Sequence, residues 1–250
     1  MKIFYTDLDN TMIFSYKQDI GAHTRMVERY QGREISFITE RTYELLQKVK
    51  EKMMIVPTTT RTDEQYGRID LGIGAFPYAL TCNGGVLLVN GVEDQEWYET
   101  SLHLVSESRD EMKKGIAWLE QENTRMMEVR WIKELFVFTK CEQPELVVDC
   151  LQKVLDTELV DVFHNGVKVY IVPKNLNKGA AVRRFQQMIG GTRMLAAGDS
   201  EFDVSMLETA DLAMAPVSLR ERQTLSEKVV VLPQKKVFSE EVLTYILEQE

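Results

Sequence analysis

The chain has 250 residues, room for one large domain or for a core with a smaller second one, and 44% of them are apolar against 28% charged, the balance of an ordinary globular fold. A formal charge of −9 with no basic tract argues against a nucleic-acid surface. No apolar run approaches the roughly 20 residues that a membrane helix needs. Cys82, Cys141 and Cys150 are odd in number and lack CxxC spacing, which points to neither a disulfide framework nor a zinc site. A reduced cytoplasmic setting without nucleic-acid or membrane partners is the expectation.

The opening run Ile3-Phe4-Tyr5 predicts a first strand, which leaves no room for a secretory leader before Asp7. Directly behind it stands Asp7-Leu8-Asp9-Asn10-Thr11. Two carboxylates at i and i+2, set where a strand ends, can serve as nucleophile and proton shuttle over one bound cation. A DxD triplet alone is weak, because such carboxylates also cap turns. Residues 15 to 37 then break the pattern, with Tyr16, Lys17, Arg25, Arg29, Tyr30 and Arg33 crowded into a segment that follows the DxD loop. A substrate-contacting loop and a solvated surface excursion explain those charges equally well.

Thr39 is placed to cap a helix bearing Leu45, Leu46 and Val49 on one face. A strand over Met53 to Val56 follows and runs into Pro57 and three threonines, and another over Tyr78 to Thr81 ends in the turn signal Asn83-Gly84-Gly85. The middle reads as helix, strand, strand, repeated once. Ser108 and Glu111 offer a capping box for the first helix, strands are predicted over Met127 to Trp131 and Leu135 to Thr139, and Pro144 opens the second helix. The last strand pair, Leu159 to Phe163 and Val167 to Val172, meets across an Asn165-Gly166 hairpin turn. Beyond it, Lys178 heads a helix closed by Gly190-Gly191. Short apolar runs at Met194 to Ala197, Leu212 to Ala215 and Val229 to Leu232 alternate with helical stretches, the last capped by Ser239. Strands alternating with helices at both ends predict an α/β fold, a Rossmann-like parallel sheet. The core is expected over residues 1–85 and 173–250, with an inserted α+β unit over 86–172.

The residues that flank these strands suit phosphoryl transfer. Asp7 can attack phosphorus, and Asp9 can act as acid and base. Asp7 and Asp199 offer hard oxygen ligands of the kind Mg²⁺ takes. Asp203, one helical turn beyond Asp199, can hold a ligand water or Lys178. Thr59 stands where a hydroxyl and exposed amides can hold phosphoryl oxygens, although Thr58 and Thr60 share its chemistry.

The ordered set DLDNT, TTTR, Lys178-Gly179 and GDSEFD resembles the motifs of the haloacid-dehalogenase-like (HAD) superfamily, most closely its Cof-type phosphatases with a type IIB cap. The resemblance spans nearly the whole chain. It implies a HAD-like core with an inserted cap, and a phosphatase acting on a small phosphorylated metabolite, sugar phosphates being the family's common substrates, through an aspartyl-phosphate. Implied roles are catalysis for Asp7 and Asp9, phosphate binding for Asn10, Thr59 and Lys178, substrate contact for Asn83 and Phe202, and Mg²⁺ binding among Asp7, Asp9, Asp199 and Asp203. Three positions depart from the family pattern: Asn10 and Thr60 stand in place of glycines, and Phe202 in place of an asparagine. A phosphomutase or phosphotransferase, and a metabolite-binding regulator with weak turnover, remain open beside the phosphatase. Oligomeric state is left open.

Overall fold

A computed structural model describes residues 1–233 and 235–249. Five parallel strands form the central sheet, in the order Val229–Leu232, Leu212–Pro216, Arg193–Ala197, Lys2–Thr6 and Met54–Pro57. Ile3, Phe4 and Tyr5 in its interior are fully buried, as a strand covered on both faces requires. Phe4 joins Ile55, Leu195 and Met214 in a cluster with Leu46, Val49, Val242 and Ile246 of the helices Glu40–Lys52 and Phe238–Glu248. Tyr5 faces the other side, where its ring meets Phe185 edge-on and its hydroxyl donates to Gln186. Both belong to the helix Lys178–Ile189, which packs on Glu201–Thr209. Thr6 lies opposite both Pro57 and Ala197. The three strands therefore end level, and Asp7, Thr58-Thr59 and Gly198-Asp199 emerge along one edge, the usual location of sites on such sheets.

Contacts divide the chain into two compact units, Met1–Asp94 with Lys178–Glu250, and Gln95–Asn177. The first unit carries two further small sheets. Tyr78–Thr81, Val86–Val89 and Val92–Glu93 form an antiparallel meander, so residues 86–94, expected from the sequence to open the insert, group with the core. Phe14–Ser15, Thr24–Tyr30 and Arg33–Thr39 form the other, in the stretch that breaks the alternation of strands and helices. Its signal is Gln31-Gly32, a two-residue turn with positive φ at both positions (+49° and +77°). The second unit is a four-stranded antiparallel sheet, Val160–Asn165, Lys168–Pro173, Phe136–Lys140 and Arg130–Ile132. Helices Arg109–Glu120 and Pro144–Val154 pack against it. An additional helix, Gln95–Leu104, precedes them. It escapes a periodicity reading because only Trp97 and Ser101 are buried, too thin a stripe to register.

Several local expectations are corrected. Thr39 does cap its helix, accepting from the Thr42 amide, but Ser239 lies inside the final helix, its hydroxyl paired with that of Thr42 at 2.6 Å. Ser108 and Glu111 form no capping box: the serine donates to Leu159, and the glutamate accepts from the Asp156 amide. The hairpin predicted at Asn165-Gly166 turns on Gly166-Val167, since Asn165 still pairs with Lys168. No helix among the described residues is long and apolar enough to cross a membrane, and the three cysteines form no disulfide.

Gly179 sits where the helices Lys178–Ile189 and Glu201–Thr209 touch, and a Cβ there would collide with the Ser205 backbone carbonyl. At Gly115 the obstacles are side-chain tips, that of Ile171 above all and that of Leu155 beyond it. Gly179→Ala should therefore lower unfolding free energy by about 1–3 kcal/mol in denaturant melts. Gly115→Ala should cost less, because Ile171 can rotate and alanine favours the helix.

Candidate active site

Three carboxylates and one ammonium form the centre of the strand-end edge. Lys178, the first residue of its helix, is completely buried and donates at 2.6 Å to Asp7 Oδ1 and at 2.6 Å to Asp203 Oδ1. The other oxygen of Asp203 accepts from the amides of Asp199 (3.0 Å) and Ser200 (2.9 Å) and from the Ser200 hydroxyl (2.9 Å). Asp203 is thus wholly engaged in shaping the loop, and Ser200 rather than Asp199 is the helix N-cap. Gly198 makes this possible, because a Cβ there would overlap the Asp203 side chain. Thr11 donates to Asp199 at 3.2 Å.

Carboxyl oxygens of Asp7, Asp199 and Asp203 lie within 4.8 Å of one another. Burial pushes the Asp7 carboxyl well above the usual range, Lys178 pulls it back, and Asp203, Asp199 and Asp9 push it up again. Burial and the like charge of Asp203 push Asp199 up to about 7, against the pull of Lys178 and hydrogen bonds from Thr11 and Asn10. Burial works against the charge of Lys178, but Asp203 and Asp7 hold it above the ordinary lysine range. One cation among three close carboxylates leaves a deficit of positive charge that suits a hard divalent ion. Asp7 and Asp199 are the side chains with oxygens to spare for it.

Asp9 does not join this group. Arg61 grips both its oxygens, Nε to Oδ2 at 2.7 Å and Nη2 to Oδ1 at 2.7 Å. No role for Arg61 was foreseen, although it closes the TTTR motif two residues after Thr59. Asn10 holds φ at +60°, the left-handed region that explains the family's glycine there and that asparagine tolerates. Thr58 spends its hydroxyl on the Val56 carbonyl (3.1 Å). Thr59 is buried, and its hydroxyl accepts from the Arg61 amide at 3.1 Å, which leaves its proton available. That contrast distinguishes Thr59 from Thr58. Asn83, at φ +60°, donates its amide to the Thr59 carbonyl at 3.0 Å. Phe202 is buried on the helix beside Asp203; the polar group missing there does not cost Lys178 its two counter-ions.

Residues 4–217 match the family described as haloacid dehalogenase-like hydrolase. The chain belongs to that family of hydrolases. No curated protein matches the sequence. Among solved structures, a Synechocystis sucrose-phosphatase holding sucrose and phosphate is similar at 17% identity and a TM-score of 0.69, over 98% of this chain and 96% of that one. A haloacid dehalogenase-like hydrolase from B. subtilis is similar at 14% identity and a TM-score of 0.63, over 100% of both chains. A trehalose-6-phosphate phosphatase related protein follows at 16% identity and a TM-score of 0.55, over 99% of this chain and 100% of that one. At such identities the likeness concerns the fold.

A carboxyl held at about 7 in the folded state binds more protons than its unfolded counterpart, whose pKa is about 3.9. The stability tied to Asp199 is therefore present at low pH and lost as pH rises through that window. In metal-free protein, Asp199→Asn should melt several degrees above the wild type at pH 8. The gap should close as pH falls toward 4. Thermal melts at stepped pH check both.

Proposed function

We propose that this hydrolase is a Mg²⁺-dependent phosphatase that hydrolyses a small phosphorylated metabolite, with sugar phosphates the favoured class, through an aspartyl-phosphate on Asp7. The observation that supports this best is the buried triad of Asp7, Lys178 and Asp203 beside Asp199 at the strand ends. Sugar-phosphate substrates are suggested by the sucrose-phosphatase and the trehalose-phosphatase-related protein that share the fold.

In this reading Lys178 and the Thr59 hydroxyl hold phosphoryl oxygens, together with backbone amides of the Asp7–Thr11 loop. The Asp7 carboxylate attacks phosphorus as the ester P–O bond breaks, and Asp9 gives its proton to the departing alkoxide. A water that returns a proton to Asp9 then attacks the aspartyl-phosphate, releasing phosphate and regenerating the Asp7 carboxylate. Asp7 and Asp199 would hold Mg²⁺, with Asp203 ordering the loop behind them, and the ion supplies neutralisation of phosphoryl charge. The unit Gln95–Asn177 is assigned the role of cap, selecting the alcohol portion of the substrate.

Asp7→Asn keeps the shape and removes the anionic nucleophile, so phosphate release should fall by more than about 10³-fold in a folded protein. Residual turnover well above that level would overturn the covalent route. EDTA should abolish hydrolysis, Mg²⁺ should restore it, and Ca²⁺ should serve poorly because it is larger and less strict in geometry. Release of inorganic phosphate in one-to-one ratio with the alcohol distinguishes hydrolysis from transfer to a second hydroxyl.

Replacing Gln95–Asn177 by a short Gly/Ser linker should reduce kcat/KM on the preferred metabolite far more than on p-nitrophenyl phosphate. Equal losses in a folded protein would assign selectivity to the core instead.

A further inference from the structure

The three-stranded sheet that follows the DxD loop carries a buried charge whose reach extends to Asp9. Glu28 lies on Thr24–Tyr30, and its carboxylate is fully enclosed. It accepts from the Ser36 hydroxyl at 2.7 Å, pairs with Arg61 Nη1 at 2.9 Å and accepts from Arg68 Nε at 3.2 Å. Arg61 turns its other edge to Asp9 in the two 2.7 Å bonds already described. A continuous charge chain results, with side-chain exposure rising from 0% at Glu28 to 13% at Arg61 and 49% at Asp9.

The strand is distorted to deliver this carboxylate. Pairing of Thr24–Tyr30 with Arg33–Thr39 shifts register on both sides of Glu28. Val27 and Glu28 are consequently buried one after the other, where a regular strand would turn one outward. Bulges of this kind re-aim side chains next to active sites. The distorted stretch is pinned to the chain beyond Arg61 by a bridge from Glu28 to Ile69 and a bond from the Asp70 amide to Val27. A buried ion cluster is also a poor device for stability, since an apolar replacement is often as good. What the cluster does fix is the place of the Arg61 guanidinium, held between Glu28 and Asp9.

We propose that Glu28 is a positioning residue for the proton-transfer step: it clamps Arg61 so that the guanidinium orients Asp9, and it keeps Arg61 paired when Asp9 turns to the leaving group. The inference rests on the reading of Asp9 as general acid. Without Glu28 the guanidinium retains one carboxylate, Asp9, and competes with the substrate for it.

Leaving-group dependence tests this. A general acid matters most when the departing oxygen is basic, so kcat/KM should be measured over substituted phenyl phosphates from p-nitrophenyl to p-methoxyphenyl. Asp9→Asn should steepen the dependence on leaving-group basicity. Glu28→Gln should steepen it too, losing about 10- to 100-fold on p-methoxyphenyl phosphate while changing little on p-nitrophenyl phosphate, and Glu28→Asp should recover part of the loss. Equal losses across the series for Glu28→Gln, with Asp9→Asn steep, would make Glu28 merely structural and overturn the proposal alone. A wild-type slope for Asp9→Asn would overturn the acid role and the proposal with it. Should Glu28→Gln fail to fold, Ser36→Ala removes one of its hydrogen bonds and should steepen the slope in the same direction; an unchanged slope there would count against the proposal.

Discussion

The arrangement that everything else serves is one buried lysine between two carboxylates, with a third alongside. Enclosing Lys178 away from water is costly unless its charge is met, and Asp7 and Asp203 meet it at 2.6 Å each. The same burial works against Asp7 and Asp199, whose carboxyls are pushed up out of their ordinary range. A site of this kind is poised: it accepts protons or a cation, and either relieves the crowding. Carboxyls shifted by burial and by like charge cluster at functional sites, although structural ion networks shift them too.

The backbone makes that crowding possible. Parallel strands in matched register bring Asp7, Thr59 and Asp199 to one edge although they lie far apart in the chain. Lys178 approaches from the start of a helix whose second residue, Gly179, packs directly on the Ser205 backbone. Gly198 admits the Asp203 side chain beneath the loop, and Asn10 takes a left-handed turn. These are places where a side chain or an ordinary dihedral would separate charges that the fold holds together.

Beside this centre the surroundings of Asp9 are organised differently. Asp9 is outside the three-carboxylate group and is held by Arg61, which in turn leans on Glu28 from an antiparallel sheet outside the central one. Arg68, stacked over Tyr30, completes the neutralisation of Glu28. The Asp7 side is thus tied to the core sheet, while the Asp9 side is tied to a smaller accessory sheet. In such an arrangement the two carboxylates of one DxD loop experience separate environments, as acid–base pairs in active sites commonly do.

Much of this was legible in the sequence, for local reasons. The apolar run Ile3 to Tyr5, the alternation of strands and helices, Thr39 as a cap and Pro144 at a first helical turn are each determined by neighbours a few residues apart. The spacing of Asp7, Thr59, Lys178 and Asp199 behind predicted strands marked the edge where they gather. What the sequence could not decide were pairings across long separations. That Arg61 takes Asp9, that Glu28 is buried by a bulge, and that Ser239 pairs with Thr42 instead of capping a helix depend on partners brought together only by packing. The charge states of Asp7 and Asp199 belong to the same class, because burial and neighbouring charge set them, and neither exists until the chain has folded.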